Sequence, residues 1–368
     1  MNEQNSGILD AVIESEQAHA LADFSPSQLV ADILNQLKER ERQILTLRYG
    51  LSSDNEQHTL EAIGKQLNLT RERVRQVEKD SIRQLKKDSG AQNLNKTMDI
   101  VRRTVLDHGG IFAQAALIDH LLVSDKTEKQ INSLVFLLEL SDHFITLQES
   151  DKYHLAWHLS DFDLNRLHTF HDAVKSIFES HGDPFNLETL KEKFQAHDIY
   201  AQDSSYYNDR VIENLLLISK HVKSNPFGEY GLHTWRVIAP RDVGDKAFLV
   251  LKHGKLPLHY TKITELINQH RFDERVAYKE TVHNELIMDD RFVLVGRGIY
   301  ALTEWGYKKG LVSDIIKEIL AASQDPLDRN AIVEHVLKQR VVKRNTILVG
   351  LANKQLFKKV GKNKYTVV

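Results

Sequence analysis

The chain has 368 residues, 27% charged and 41% hydrophobic, with only 6 prolines and 17 glycines, which excludes a disordered or fibrous protein and allows several packed cores. It has no cysteine, so disulfides, thiolate zinc sites and a cysteine nucleophile are ruled out. The net charge of −2 is unevenly spread: residues 1–35 carry six acids and no Lys or Arg, residues 69–87 carry seven Lys/Arg against three acids, and residues 338–368 carry nine Lys/Arg and no acid. Positive charge gathered in two places is the footprint of phosphate contact. No apolar run reaches the length of a membrane span, and the polar start Met1–Ser6 lacks a signal peptide's basic end and apolar core. The expectation is a soluble, cytoplasmic, multidomain protein with no membrane contact.

Residues 1–25 form an acidic, polar segment. A first unit, 26–88, follows. Leu29, Ile33 and Leu37, then Ile44, Leu45 and Leu47, recur at helical spacing. Gly50–His58, rich in Ser, Asp, Asn and Gln, predicts a loop. Thr59 is placed to cap a helix Leu60–Gln66, a short turn passes through Asn68, and Thr70 is placed to cap a second helix, Arg71–Lys87. Two capped helices around a short turn predict a helix-turn-helix.

After a linker near Asp88–Lys96 the chain repeats itself four times, over 97–161, 165–239, 242–307 and 310–368. Each copy opens with an amphipathic helix and turns at a Gly- or Pro-bearing step: His108-Gly109-Gly110-Ile111, His181-Gly182-Asp183-Pro184, His253-Gly254-Lys255-Leu256-Pro257 and Ser323-Gln324-Asp325-Pro326. Two more helices and a strand pair complete it. The pairs start at Phe144, Val222, Phe292 and Phe357 and end on Tyr153, Tyr230, Tyr300 and Tyr365, with turn residues such as Gly296-Arg297-Gly298 and Gly361-Lys362-Asn363 midway. Three helices closed by a β-hairpin make a winged helix. The fold class expected is therefore mainly α, a helix-turn-helix domain followed by tandem winged helices with small hairpin wings.

Leu37-Lys38-Glu39-Arg40-Glu41-Arg42-Gln43-Ile44-Leu45, Leu47-Arg48-Tyr49-Gly50-Leu51 and Thr70-Arg71-Glu72-Arg73-Val74-Arg75-Gln76-Val77-Glu78 together resemble region 4 of primary bacterial sigma factors. That resemblance implies recognition of the −35 promoter hexamer and docking on the flap of the RNA polymerase β subunit. The last two repeats resemble the HARE-type helix-turn-helix family, a winged helix also found in the delta subunit of bacterial RNA polymerase. The residues that carry this are Pro257-Leu258, Ile263-Thr264-Glu265-Leu266 and Arg291-Phe292-Val293-Leu294-Val295-Gly296-Arg297-Gly298-Ile299-Tyr300-Ala301-Leu302. Pro326-Leu327, Ala331-Ile332-Val333 and Leu356-Phe357-Lys358-Lys359-Val360-Gly361 echo them in the last copy.

A recognition helix points its first turns into the major groove, where Arg bridges guanine, Glu accepts from cytosine and Gln pairs with adenine. Arg71, Glu72 and Gln76 lie on roughly one face and match the sigma family's base-reading positions. Thr70, Arg73, Arg75 and Lys79 are better placed for phosphates, which fix register without carrying sequence. Val74, Val77, Ile82 and Leu85 should face the core. A charged surface helix is ordinarily a solvated face; three motifs in register distinguish this one. In the last repeat Lys343 and Arg344 enter the third helix, and Lys354, Lys358, Lys359, Lys362 and Lys364 lie near the wing, forming either a phosphate-binding surface or a solubilising face. The acidic middle repeats suggest spacers or protein contacts.

Catalysis is not expected. No Gly-rich phosphate loop opens a helix and no H-E-x-x-H or EF-hand pattern occurs, while His168 and His171, at helical spacing, are a pair that eighteen histidines produce by chance. No cofactor or metal is expected. The expected partners are double-stranded DNA and RNA polymerase core, in a nucleoid-associated bacterial regulator. The 25 residues before the motif leave no room for a strand-opening domain, so autonomous initiation is not expected. The alternative is a non-catalytic DNA-targeting or adaptor subunit of a restriction or defence complex.

Overall fold

Pro26 opens helix α1 (Pro26–Leu34) at a position where its fixed φ and missing N–H cost nothing. The computed structural model describes residues 24–87, 90–307, 309–323 and 325–368. Nearly all of the acidic segment expected over 1–25 lies outside the described residues, as do Asp88 and Gln324. Among the described residues no helix is long and apolar enough to cross a membrane.

α2 (Glu39–Arg48), α3 (Leu60–Leu67) and α4 (Arg71–Lys87) follow the predicted order. Ile44, Ile63 and Val74 are fully buried where these three helices meet, ringed by Leu47, Leu60, Leu67, Leu69 and Val77. The predicted linker is different. The chain is helical again from Gly90, as α5 (Gly90–Asp107). The segment is polar but holds one glycine and no proline, so nothing in it stops a helix.

Four winged helices follow, each with the order helix, strand, helix, helix, strand, strand. The first is α5, β1 (Ile111–Ala113), α6 (Gln114–Leu121), α7 (Glu128–Leu140), β2 (Phe144–Leu147) and β3 (Ala156–Leu159). The second is α8 (Leu164–His181), β4 (Phe185–Asn186), α9 (Leu187–Gln195), the short α10 (Asp198–Gln202), α11 (Asp209–Ile218), β5 (Val222–Ser224) and β6 (Glu229–Leu232). The third is α12 (Val243–Gly254), β7 (Leu258–His259), α13 (Tyr260–His270), α14 (Lys279–Met288), β8 (Phe292–Gly296) and β9 (Ile299–Leu302). The last is α15 (Val312–Ala321), β10 (Leu327–Asp328), α16 (Arg329–Gln339), α17 (Arg344–Leu351), β11 (Phe357–Lys359) and β12 (Lys364–Val367).

Two details depart from the predicted hairpins. Each wing gains another strand, placed just after the Gly/Pro turn, as in Phe112↔Trp157, Phe185↔Tyr230, Leu258↔Tyr300 and Leu327↔Tyr365. Strands of two or three residues are too short to show alternation. In the first repeat the returning strand starts only at Ala156, and Tyr153 instead forms a β-bridge with Ser219 of the second repeat.

The chain divides into two compact units, Met1–Asp183 with Glu188–Lys223, and Pro184–Leu187 with Ser224–Val368. In the first, the helix-turn-helix and the first winged helix share one core. Val30, Ile33, Leu34, Leu37, Leu45 and Leu85 pack in a single cluster with Leu134, Phe136, Leu137 and Leu138 of α7. The contact also buries polar groups, and Gln130 and Asn132 are paired across it. Gln130 Oε1 accepts from Ser27 N at 3.0 Å, and Asn132 Nδ2 donates to the carbonyls of Gly50 and Asn55 at 3.0 and 3.1 Å. Tyr49 packs edge-on to Phe136 and its hydroxyl donates to Glu139 at 2.8 Å.

The first two winged helices are joined in the same way. Asn214, buried on α11, donates to His108 O and Ile111 O at the turn after α5. His171, 8% exposed, donates through Nε2 to Leu215 O at 2.7 Å, and Tyr153 Oη meets His168 Nδ1 at 2.6 Å, so both histidines of the sequence pair have partners in the fold.

Two outcomes are expected from this packing. A fragment spanning 24–90 leaves the shared cluster uncovered and should show no cooperative urea transition, whereas 24–162, which restores α7, should; a cooperative 24–90 would mean the helix-turn-helix stands alone. Burial lowers the His171 pKa to about 4, so the folded protein keeps it neutral while the unfolded chain protonates near 6.5. The unfolded state then binds more protons between those values, and stability falls as pH drops from about 6.5 to about 4, by on the order of 3 kcal/mol. Denaturation across that range should show the loss, and His171→Gln should flatten it.

Candidate nucleic-acid interface

The helix-turn-helix is assembled by local chemistry. Thr59 Oγ1 accepts from Ala62 N at 3.2 Å and caps α3. Asn68 ends it in the left-handed region (φ 51°), a conformation Asn tolerates better than most residues. Thr70 Oγ1 accepts from Arg73 N at 3.2 Å and caps α4, leaving the hydroxyl hydrogen free to donate. The turn closes tightly on Gly64, where a Cβ would stand 2.7 Å from Leu69 O, so only glycine lets α3 come this near the chain entering α4.

α4 is held to the rest of the domain by its inner face. Val74 is fully buried and Leu85 nearly so, while Val77 and Ile82 are half-buried, as the spacing predicts. Arg48 on α2 reaches Glu78 on α4 at 3.2 Å and donates to His58 O, clamping helix and loop together. Arg40 donates to Leu67 O at the end of α3. Sequence reasoning quoted these residues without giving them roles. Spacing alone does not say which partner a charged residue takes.

The outer face of α4 is entirely polar. Arg71, Glu72, Arg73, Arg75, Gln76 and Lys79 are all exposed. Four of them form a network along the helix. Glu72 accepts from Arg75 at 2.7 and 2.9 Å and from Gln76 Nε2 at 3.4 Å, while Arg73 donates to Gln76 Oε1 at 3.4 Å. The Arg75 hydrogen bonds hold the Glu72 carboxyl below the usual range, so it is a pure acceptor near neutrality. The structure therefore brings Arg71, Glu72 and Gln76 together with Thr70, Arg73, Arg75 and Lys79 on one open surface.

The C-terminal basic residues form a separate group. Lys343 is the N-cap residue of α17, and Arg344 opens that helix and donates to Asn330 Oδ1 at 2.5 Å. Lys358 and Lys359 lie on β11, Lys362 in the turn and Lys364 on β12. All six are exposed. Among the described residues no group of His, Asp and Glu is arranged to hold a metal ion.

Residues 33–87 match the family described as "Sigma-70, region 4". The chain is 43% identical over 77 residues to the RNA polymerase sigma factor RpoD of Helicobacter pylori, a stretch that is 21% of this chain and 11% of that protein. It is 36% identical over 103 residues to the RNA polymerase sigma factor SigA of Clostridium acetobutylicum, 27% of each chain, and 35% identical over 103 residues to SigA of a Bacillus species. The chain thus spans about a tenth to a quarter of the length of these curated relatives. With the helix-turn-helix geometry above, the match identifies residues 33–87 as a sigma-70 region 4 domain.

Proposed function

We propose that the protein is a sequence-specific, DNA-binding regulator of transcription whose α4 reads a −35-like promoter element. The observation that carries this is the outer face of α4, where Arg71, Glu72 and Gln76 stand exposed at the start of a capped recognition helix. Arg71 is assigned to guanine, Glu72 to cytosine and Gln76 to adenine. Thr70, Arg73, Arg75 and Lys79 hold flanking phosphates. The reading assigns no catalysis and no cofactor to the chain, and places it on the nucleoid.

RNA polymerase is the second partner in this reading. The apolar side of α1 and α2 is filled by α7, so polymerase is left the exposed polar surface of the domain. The last two repeats are read as HARE-type modules. Their helix–strand–helix–helix–hairpin order supports this, as does the pairing of Leu258 with Tyr300 and of Leu327 with Tyr365 at the same place in each.

An adaptor role in a larger assembly is the second reading. It is favoured by the third repeat, where Tyr278, Ile287 and Met288 are all exposed at or on α14. Recovery of a nuclease or methylase rather than polymerase with the intact protein would favour it.

The test is selection from a randomised duplex pool by the intact protein and by Arg71→Ala/Gln76→Ala. Wild type should enrich one motif. The double variant should lose about 1–3 kcal/mol of discrimination at each affected base pair, with preference fading at those positions and staying elsewhere. If both proteins return the same pool, α4 is not reading bases.

A further inference from the structure

A winged helix has two surfaces with which to meet a duplex, its third helix and its wing. In the first two repeats both surfaces, and in the third the wing, make contacts within the protein. The third helix of the first repeat, α7, lies against the helix-turn-helix through Gln130, Asn132 and Phe136. That of the second, α11, lies against the first repeat through Asn214.

The wings show a regular pattern, in which each packs on the repeat that follows it. In the first repeat's wing, Lys152 O accepts from Lys220 N and His154 N donates to Ile218 O, both at 2.9 Å, around the Tyr153–Ser219 bridge. In the second, Phe227 stacks on His253 at 4.2 Å and lies 4.6 Å from His270, both in the third repeat. In the third, Val295 O accepts from Val341 N at 3.0 Å, and Arg340 donates to Leu294 O. Gly296 makes that approach feasible, because a Cβ there would stand 2.5 Å from Val341 O.

The chemistry of the fourth wing differs. Lys358, Lys359, Lys362 and Lys364 are exposed, and none is in an ion pair among the described residues. The adjoining third helix presents Lys343, Arg344, Asn345 and Thr346 to solvent, and residues 338–368 contain no acid. By contrast α14, the exposed third helix of the third repeat, shows Glu280, Thr281, Asn284, Ile287 and Met288, with Lys279 its single base. Charge therefore separates the two open surfaces.

We propose that the terminal winged helix is a second duplex-binding site, gripping the phosphate backbone without sequence preference through its wing lysines and the start of α17, and that the three interior wings are closed to DNA. This site is independent of base reading by α4.

The experiment compares full-length protein with Lys358→Gln/Lys359→Gln/Lys362→Gln/Lys364→Gln across a salt series on random-sequence duplex. These side chains are exposed, so the fold should persist, and circular dichroism checks it. A control carries Lys152→Gln/Lys223→Gln/Arg297→Gln, which removes basic charge from the interior wings. The terminal variant should lower the slope of log affinity against log salt by about 0.9 for each phosphate contact removed, while the control leaves it unchanged. An unchanged slope in the terminal variant overturns the proposal, and so does an equal drop in the control. Arg71→Ala/Gln76→Ala, run alongside in the motif selection, fails or succeeds separately, so loss of promoter reading is not mistaken for loss of the terminal site.

Discussion

The packing of α7 against α1 and α2 is the contact on which the helix-turn-helix depends. A helix-turn-helix of about 60 residues buries little apolar surface and is marginal alone. Here its own centre holds three fully buried residues, Ile44, Ile63 and Val74. The larger apolar face, Val30, Ile33, Leu34 and Leu37, is covered by the next module. Polar groups within this contact make it specific. Asn132 donates to two loop carbonyls, so a shift of α7 by one residue would break both hydrogen bonds. The loop between α2 and α3, and with it the orientation of α4, is thereby fixed from outside the domain.

The same principle recurs along the repeats. In tandem proteins each module contacts mainly its neighbours, and stability becomes a sum of module and interface terms. Here the interface terms fall on the segments that free winged helices leave exposed. Asn214 occupies the turn after α5, Tyr153 bridges Ser219, Phe227 enters between His253 and His270, and Val341 extends the edge at Val295. Pairing an edge strand also removes a site of unwanted association.

What was legible in the sequence was what is local. Thr59, Asn68 and Thr70 act within a few residues of themselves, and the apolar positions of α3 and α4 follow helical spacing, so the helix-turn-helix could be placed almost to the residue. The repeats were legible through their turns and their apolar-to-Tyr spacing. Short strands such as β4 and β7 were not, since two residues show no period. Nor was α5 before Met98, where polar composition resembles a linker and only tertiary context decides. Tyr153 was misplaced because its partner, Ser219, lies in another repeat. The exposed polar face of α4 was legible, but the Glu72–Arg75–Gln76 network was not, because spacing does not say which of several allowed partners a side chain takes.

That network bears on how α4 meets a duplex. Glu72 and Gln76 are already hydrogen-bonded to one another and to Arg75 and Arg73 before DNA arrives. Pairs on so exposed a surface are weak, because solvent competes for both partners. Arg75 can therefore leave Glu72 for a phosphate at small cost. What the network contributes instead is order, since long side chains already restricted in rotamer lose less freedom on binding. Arg71 and Lys79 take no part in it. Both are exposed, one at the helix start and the other two turns further on. A face of this kind combines two restrained polar groups, Glu72 and Gln76, with two cations outside the network, and under the proposed reading the cations meet phosphate by charge while the restrained pair is held in geometry for base edges.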